Sequence, residues 1–284
     1  MQFGLMLRAQ FPEGDDMSAR FQELLEQARL ADALGFDSVT KGMHYSSPPW
    51  QSLQQLPFLS RVMAEAPRLR LNLGLILLSL HKPLDVAEQI ATVDVMSGGK
   101  VIFGVALGYR DVEFLAFGTT QKARVRRAAR LGDCWYVNPH NRIETIVRQV
   151  DLPARARRVR QAVPGRIPGP PRAVRRAVAP GGDPALRAVP VGAKYKAYQE
   201  WGQGAAMPEG DNDLGVEFDE PVRDRFIIGS PDEVAEQMLA LHRATGIHHL
   251  IMSAQWPGMP QSLALDELHM LPRKYSRECG RRGR

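Results

Sequence analysis

Short apolar runs alternate with longer amphipathic ones over most of the first 107 residues, and that alternation limits the fold more than any other feature of the chain. "QFGLML" (2–7), "FDSVTK" (36–41), "LRLNLGLILL" (69–78) and "KVIFGVAL" (100–107) read as buried strands. Between them, "MSARFQELLEQARLADALG" (17–35), "WQSLQQLPFLSRVMAEAP" (50–67) and "KPLDVAEQIATVDVMSGG" (82–99) read as helices. In the first, Phe21, Leu24, Leu25, Ala28 and Ala31 fall at helical spacing, and Gly35 supplies a stop. Pro57 should kink the second helix or mark its true start, and Pro83 suits the first turn of the third. Such alternation implies right-handed βαβ units and a parallel sheet covered by helices.

Two architectures satisfy that pattern, a doubly wound sheet and a (β/α)₈ barrel. After the first strand the chain reads "LRAQFPEGDD", with no G-x-G-x-x-G turn for a pyrophosphate, which favours the barrel. The far end repeats the pattern. "GSPDEVAEQMLALHRATG" (229–246) opens as a capping box, with Ser230 at the N-cap, Pro231 next and Glu233 at the third position, and Gly246 closes it. "IHHLIMSA" (247–254) is a strand, and "WPGMPQSLALDELHML" (256–271) a loop and a helix.

The middle departs from this. "GTTQKARVRRAARLGDCWYVNP" (118–139) reads as a basic helix and a strand at "CWYVN", and "HNRIETIVRQVDL" (140–152) can be helical. Residues 151–192 hold nine arginines, eight prolines, eight alanines and five glycines, two acids and no aromatic residue. Proline removes ladder donors, so this composition is expected to exclude a central strand between 153 and 192. Its bias resembles GC-rich coding DNA read out of frame, which translation of the other two frames tests. The net charge of +6 resides in this segment, and the rest of the chain is close to neutral. A uniform DNA-binding face is therefore not indicated, and the segment lacks the interleaved aromatics of a single-strand binder.

Other classes are disfavoured by what is missing. No apolar run approaches the ~20 residues that cross a bilayer, and the N-terminus lacks a basic n-region, so a cytoplasmic protein without membrane attachment is expected. Cys134 and Cys279 form no disulfide framework. There is no H-E-x-x-H, paired C-x-x-C, G-x-S-x-G or Walker loop. His248 and His249 share a strand, so their side chains point to opposite faces and cannot chelate one metal together.

Set together, "GFDSVTKGMHY", "LGLILLSLHKPLDVAEQIATVDVMSGGKVIFGVALGYRDVEFLAFG", "AARLGDCWYVNP" and "FIIGSPDEVAEQM" resemble the bacterial-luciferase-like monooxygenases, flavin-dependent (β/α)₈-barrel enzymes. The resemblance covers 1–152 and 193–271, and its most specific piece is "GGKVIFGVALGYRDVEFLAFG" (98–118). It implies one α/β barrel domain over 1–271, with 153–192 an irregular insert and 272–284 a basic tail. "FGTTQKARVRR" runs almost directly into "AARLGD", where the family has a fifth strand and a small-residue turn that helps hold the flavin phosphate. The barrel is thus expected to be incomplete, lacking its fifth strand and with the seventh in doubt.

The resemblance also implies chemistry: reduced FMN from a separate flavin reductase, O₂, a small organic substrate, and a homodimer as members often form. A deazaflavin-dependent dehydrogenase on the same scaffold is the alternative, and a non-catalytic homologue whose basic segment binds polyanions is the other. Active sites of such barrels lie at the C-terminal strand ends. His44 follows the second strand on that face, where the family places a histidine near the reactive edge of the flavin; a histidine in a loop can equally be incidental. Tyr45 beside it, and Trp50 and Trp256, are candidates to line a substrate entrance, although helix packing explains the tryptophans as well. The family often has a non-prolyl cis peptide near Gly74 and Leu75, against the ring. Gly104 and Ala106 are small enough for a ring to approach, or small because a barrel interior is crowded. Met6 lies beneath the flavin or is ordinary core. Tyr109 and Arg110 open the loop that meets the ribityl phosphate in the family; Arg110 can instead pair with Asp111 or Glu113. Lys122, Arg124, Arg126 and Arg127 can meet an anion or form a solvated face.

Overall fold

A computed structural model describes residues 1–8, 10–119, 136–137, 141–147, 173–180, 199–207, 211, 227–255 and 259–270. The elements are β1 (Gln2–Leu7), β2 (Phe11–Pro12), α1 (Met17–Leu34), β3 (Ser38–Lys41), β4 (Trp50–Gln51), α2 (Gln55–Glu65), β5 (Arg70–Leu77), α3 (Pro83–Ser97), β6 (Val101–Ala106), α4 (Asp111–Ala116), β7 (Tyr136–Val137), β8 (Ala173–Pro180), β9 (Ile227–Gly229), α5 (Pro231–Thr245), β10 (His249–Ser253) and a last helix, α6, at 261–270.

Local chemistry explains where these elements begin and end. Asp16 caps α1 by accepting from the amides of Ser18 and Ala19 at 2.8 and 3.2 Å, and Gly35 closes the helix at φ 83°. Ser230 and Glu233 form the expected capping box on α5. Pro57 is the third residue of α2 and marks its start rather than a kink, because the first-turn amides have no intrahelical partner to lose. Trp50 and Gln51, expected to be helical, instead pair antiparallel with Pro12 and Phe11 in a small ribbon.

The main sheet is parallel and runs in the order β6-β5-β3-β1-β10-β8-β7, with β9 paired to β8. Its two faces are packed separately. Leu5, Leu7, Val39, Leu71, Leu73, Leu250 and Met252 meet Leu24, Leu25 and Ala28 of α1 and Phe58, Leu59 and Val62 of α2 in one apolar core. On the inner face Met6 and Ile251 pack with Tyr136. This is the period of two expected of strands covered by helices.

The ends of the sheet path, β6 and β7, are not joined by a ladder among the described residues, so the barrel is open where the fifth strand was expected to be missing. Phe103 in β6 is 44% exposed at that edge.

The strand β8 overturns the expectation that no central strand could form between 153 and 192. Ala173–Ala177 pair with His249–Ser253 on one side, and Ala173 and Val174 with Tyr136 and Val137. The physical reason lies in the placement of the prolines. Pro171 precedes the strand and Pro180 is its last residue, so "AVRRAVA" between them keeps every ladder donor. The remainder of 153–192, the basic helix at 122–127, Trp256 and the 272–284 tail lie outside the described residues.

At the N-terminal end of the sheet, His249 is 4% exposed and shares a 2.9 Å hydrogen bond with Ser38 Oγ. Burial, with Arg70 adding and Asp37 opposing, pulls its pKa from 6.5 to about 4. As pH falls from 6.5 to 4, the unfolded chain takes up this proton before the folded one does. Stability present above pH 6.5 is expected to be lost across that window, by about 3 kcal/mol at ~1.4 kcal/mol per unit. Urea unfolding of wild type and His249→Gln between pH 7 and 4 checks this. An identical pH slope in the two proteins would refute it.

Candidate active site at the C-terminal strand ends

The site is built where β3, β5 and β6 end side by side. Lys41 pairs with Leu73, and Leu77 with Ala106, so residues following β3 and β6 emerge on either side of the end of β5. Register shifts between Leu73 and Ile76, and the Gly74–Leu75 peptide within that bulge is cis. Gln55 at the start of α2 holds this region from outside: its Nε2 donates to Lys41 O at 2.6 Å and to Leu75 O at 3.3 Å. The bulge accounts for Gly104, because a Cβ there would lie 2.5 Å from Leu73 O and 2.7 Å from Leu75 Cδ2. The crowding that keeps residue 104 small therefore comes from the chain itself. Gly42 also passes near β5, with a Cβ position 3.2 Å from Gly74 O.

Beyond Gly42 the loop is organised by one carboxylate. Glu113, 1% exposed on α4, accepts from Tyr45 N at 2.9 Å through Oε1, and the same oxygen lies 3.1 Å from His44 Nδ1 and 3.4 Å from Arg110 Nη1. An ionised carboxylate only accepts, so its neighbour His44 Nδ1 is the protonated nitrogen in this arrangement. Arg110, 5% exposed, donates through Nη1 to Tyr45 O at 2.7 Å and through Nη2 to Ser46 O at 3.0 Å. Its ion-pair partner is Glu113, and its fork is directed onto the loop that carries His44. The guanidinium also stacks over Trp201, 4.1 Å from the ring centroid.

Aromatic and apolar groups complete the rim. His44 meets Tyr109 and Trp201 edge-on at 5.9 and 5.2 Å. Tyr109 OH donates to Gln203 Oε1 at 3.5 Å. Tyr45 OH and His81 Nε2 are 3.2 Å apart, and both rings pack on Phe117. Burial, reinforced by the Glu113 charge, raises the Tyr45 pKa; burial lowers that of His81, against Asp85. Leu77, Leu80 and Phe114 form an apolar wall against Tyr45 and Ala106.

Of the residues singled out in the sequence, His44, Tyr45, Ala106, Tyr109 and Arg110 thus share one rim with the end of β5. Gly74 and Leu75 form the bulge below it. Met6 faces the inner side of the sheet, 2% exposed and in contact with Ile251 and Tyr136. Trp50 lies in the β2–β4 ribbon. The sequence reading did not identify Glu113 as the organising group, and it passed over His81, Trp201 and Gln203. The "HKP" that starts α3 and the i,i+3 spacing of Arg110 and Glu113 were the available signals.

The rim fits the ring of a flavin. It offers imidazole and phenol groups for a polar edge and an apolar wall for a fused ring. Arg110 Nε is buried with no hydrogen-bond partner among the described residues. Gly108, at φ 86°, brings main chain to the same wall. Both Arg110 Nη groups serve main-chain carbonyls, so the group that would hold a phosphate is not assigned among the described residues.

The family model for luciferase-like monooxygenases matches residues 1–127. The 4-hydroxyprotoasukamycin monooxygenase of Streptomyces nodosus subsp. asukaensis is 28% identical over 127 residues, 44% of this chain and 34% of that protein. The chain spans about a third of the length of the curated relatives it matches. Among solved structures, the oxygenating constituent of 3,6-diketocamphane monooxygenase from Pseudomonas putida, in complex with FMN, superposes with TM-score 0.71 at 16% identity, covering 98% of each chain. The coenzyme F420-dependent tetrahydromethanopterin reductase of Methanopyrus kandleri gives 0.63 at 16% identity, covering 95% of this chain and 97% of that one. At these identities the structures show a shared fold.

Proposed function

Because residues 1–127 match the family model for luciferase-like monooxygenases, we propose that the chain is a flavin-dependent monooxygenase using reduced FMN and O₂ on a small organic substrate. One observation carries the reading: the loop after β3, the end of β5 and the loop after β6 meet in a single rim containing His44, Tyr45, Ala106, Tyr109 and Arg110. A bound reduced flavin supplies the electrons that activate O₂, so that one oxygen atom enters the substrate and the other leaves as water.

The chain's own part is positioning and proton control. Glu113 holds His44 Nδ1, so Nε2 is the atom through which the imidazole can exchange a proton with a bound molecule. Arg110 fixes the Tyr45 and Ser46 carbonyls and so keeps His44 at the rim. Leu77, Leu80, Phe114 and Phe117 exclude water from one side and favour an apolar substrate against Tyr45. Tyr109 and the main chain at Gly108 would contact the ring, and a separate reductase would deliver the flavin.

A second reading, hydride transfer with a deazaflavin, is supported by the F420-dependent neighbour on the same fold. Oxidation of reduced FMN in air, followed by absorbance with and without the protein, separates the readings. The monooxygenase reading expects the protein to change the oxidation course and His44→Ala to reduce that effect about 10²-fold. Saturable binding of reduced deazaflavin with no effect on FMN would favour the dehydrogenase. A folded protein that binds neither would leave a non-catalytic homologue.

A further inference from the structure

At the N-terminal end of the sheet, away from the rim, a second pair of imidazoles comes together. His242 lies in the last turn of α5 and His248 immediately precedes β10. The rings sit 5.4 Å apart between centroids at an interplanar angle of 61°. His249 turns to the opposite face and bonds Ser38, which leaves His242, not His249, as the neighbour of His248.

We propose that His242 and His248 form a two-histidine site for a borderline divalent transition-metal ion such as Zn²⁺, Ni²⁺ or Cu²⁺. Four observations carry this. The spacing fits: metal–nitrogen bonds of ~2.0–2.1 Å in a tetrahedral arrangement place two imidazole centroids about 5 Å apart. The tautomer fits as well. His242 Nδ1 lies 2.6 Å from Ile247 O, and a carbonyl can only accept, so Nδ1 carries the proton and Nε2 carries the lone pair. The position favours a cation, because the α5 carboxyl end carries partial negative charge. The frame is fixed, since Gly246 N donates to His242 O at 2.7 Å and Gln2 N donates to His248 O at 2.6 Å.

Among the described residues no group of three or more His, Cys, Asp or Glu could hold a metal, so the proposed site draws two ligands, His242 and His248, from them. The bound ion would staple the end of α5 to the start of β10. Binding only to the folded state would then raise the thermal midpoint with metal concentration.

Calorimetric titration of the full chain with Ni²⁺, paired with thermal unfolding at increasing Ni²⁺, tests this. One saturable site is expected, with affinity reduced at least tenfold in both His242→Gln and His248→Gln. The thermal midpoint should rise by a few degrees in wild type and not in either variant. His248 is exposed, so His248→Gln reports on the site without disturbing the core. Unchanged affinity in His248→Gln, or loss of the site in Cys279→Ser instead, would overturn the proposal.

Discussion

Replacing Glu113 with leucine is expected to lower folding stability by about 3–5 kcal/mol and to detach the His44 loop from α4. The carboxylate is 1% exposed and within 3.4 Å of Arg110 Nη1, which is itself buried. Removing one member of a buried ion pair leaves the other charge uncompensated, which is where the large cost arises. The same substitution strips Tyr45 N of its acceptor and frees His44 Nδ1. Glu113→Gln retains shape and one acceptor oxygen and should cost less. The double variant Glu113→Leu with Arg110→Met should cost less than the two single changes summed, because the groups act as a unit. Urea unfolding of wild type, the three single variants and the double variant checks this. A loss below about 0.5 kcal/mol in Glu113→Leu, the range of ordinary surface changes, would mean that the carboxylate does not organise the loop.

Lys41→Met is expected to change stability in the opposite direction. Lys41 ends β3 with its side chain 0% exposed on the helix-covered face, its Nζ 3.0 Å from Gly42 O and 5.9 Å from the Phe58 ring centroid. Burial depresses its pKa from 10.5 to about 7. Below pH 7 both folded and unfolded chains carry the proton, and the folded chain holds that charge in a buried position. As pH rises from 7 to 10.5 the folded chain is neutral while the unfolded chain still binds the proton, so stability rises across that window. The shift corresponds to on the order of 4–5 kcal/mol at ~1.4 kcal/mol per unit. Methionine keeps the length without the charge, and loses the bond to Gly42 O. A gain of about 2–4 kcal/mol near pH 6 is expected, shrinking toward pH 10. Guanidinium unfolding of both proteins from pH 6 to 10 measures it. A variant no more stable than wild type at pH 6, with the same pH dependence, would show that the lysine carries no such cost.

Much of the frame was legible because it is written locally. The strands at 2–7, 70–77 and 101–106, the helices with Gly35 and Gly246 as stops, and the Ser230 capping box each depend on residues within one turn or one strand. The strand Ala173–Pro180 was missed because proline was counted over a 40-residue segment, whereas a ladder depends on where each proline falls. The rim was legible only in part. His44, Tyr45, Tyr109 and Arg110 came from the family resemblance, but Glu113 meets its partners His44 and Tyr45 across 69 and 68 residues of sequence. No periodicity reveals such a contact. Gly104 shows the same limit: what keeps it small is a bulge in the neighbouring strand.

The central claim is that the ends of β3, β5 and β6 form one site able to grip a tricyclic ring, and anaerobic calorimetric titration with reduced FMN tests it most directly. The account predicts a single saturable site on the folded chain, weakened at least tenfold by His44→Ala while cooperative unfolding is retained. Absence of saturable binding to the folded protein, or binding that His44→Ala leaves unchanged, would contradict it.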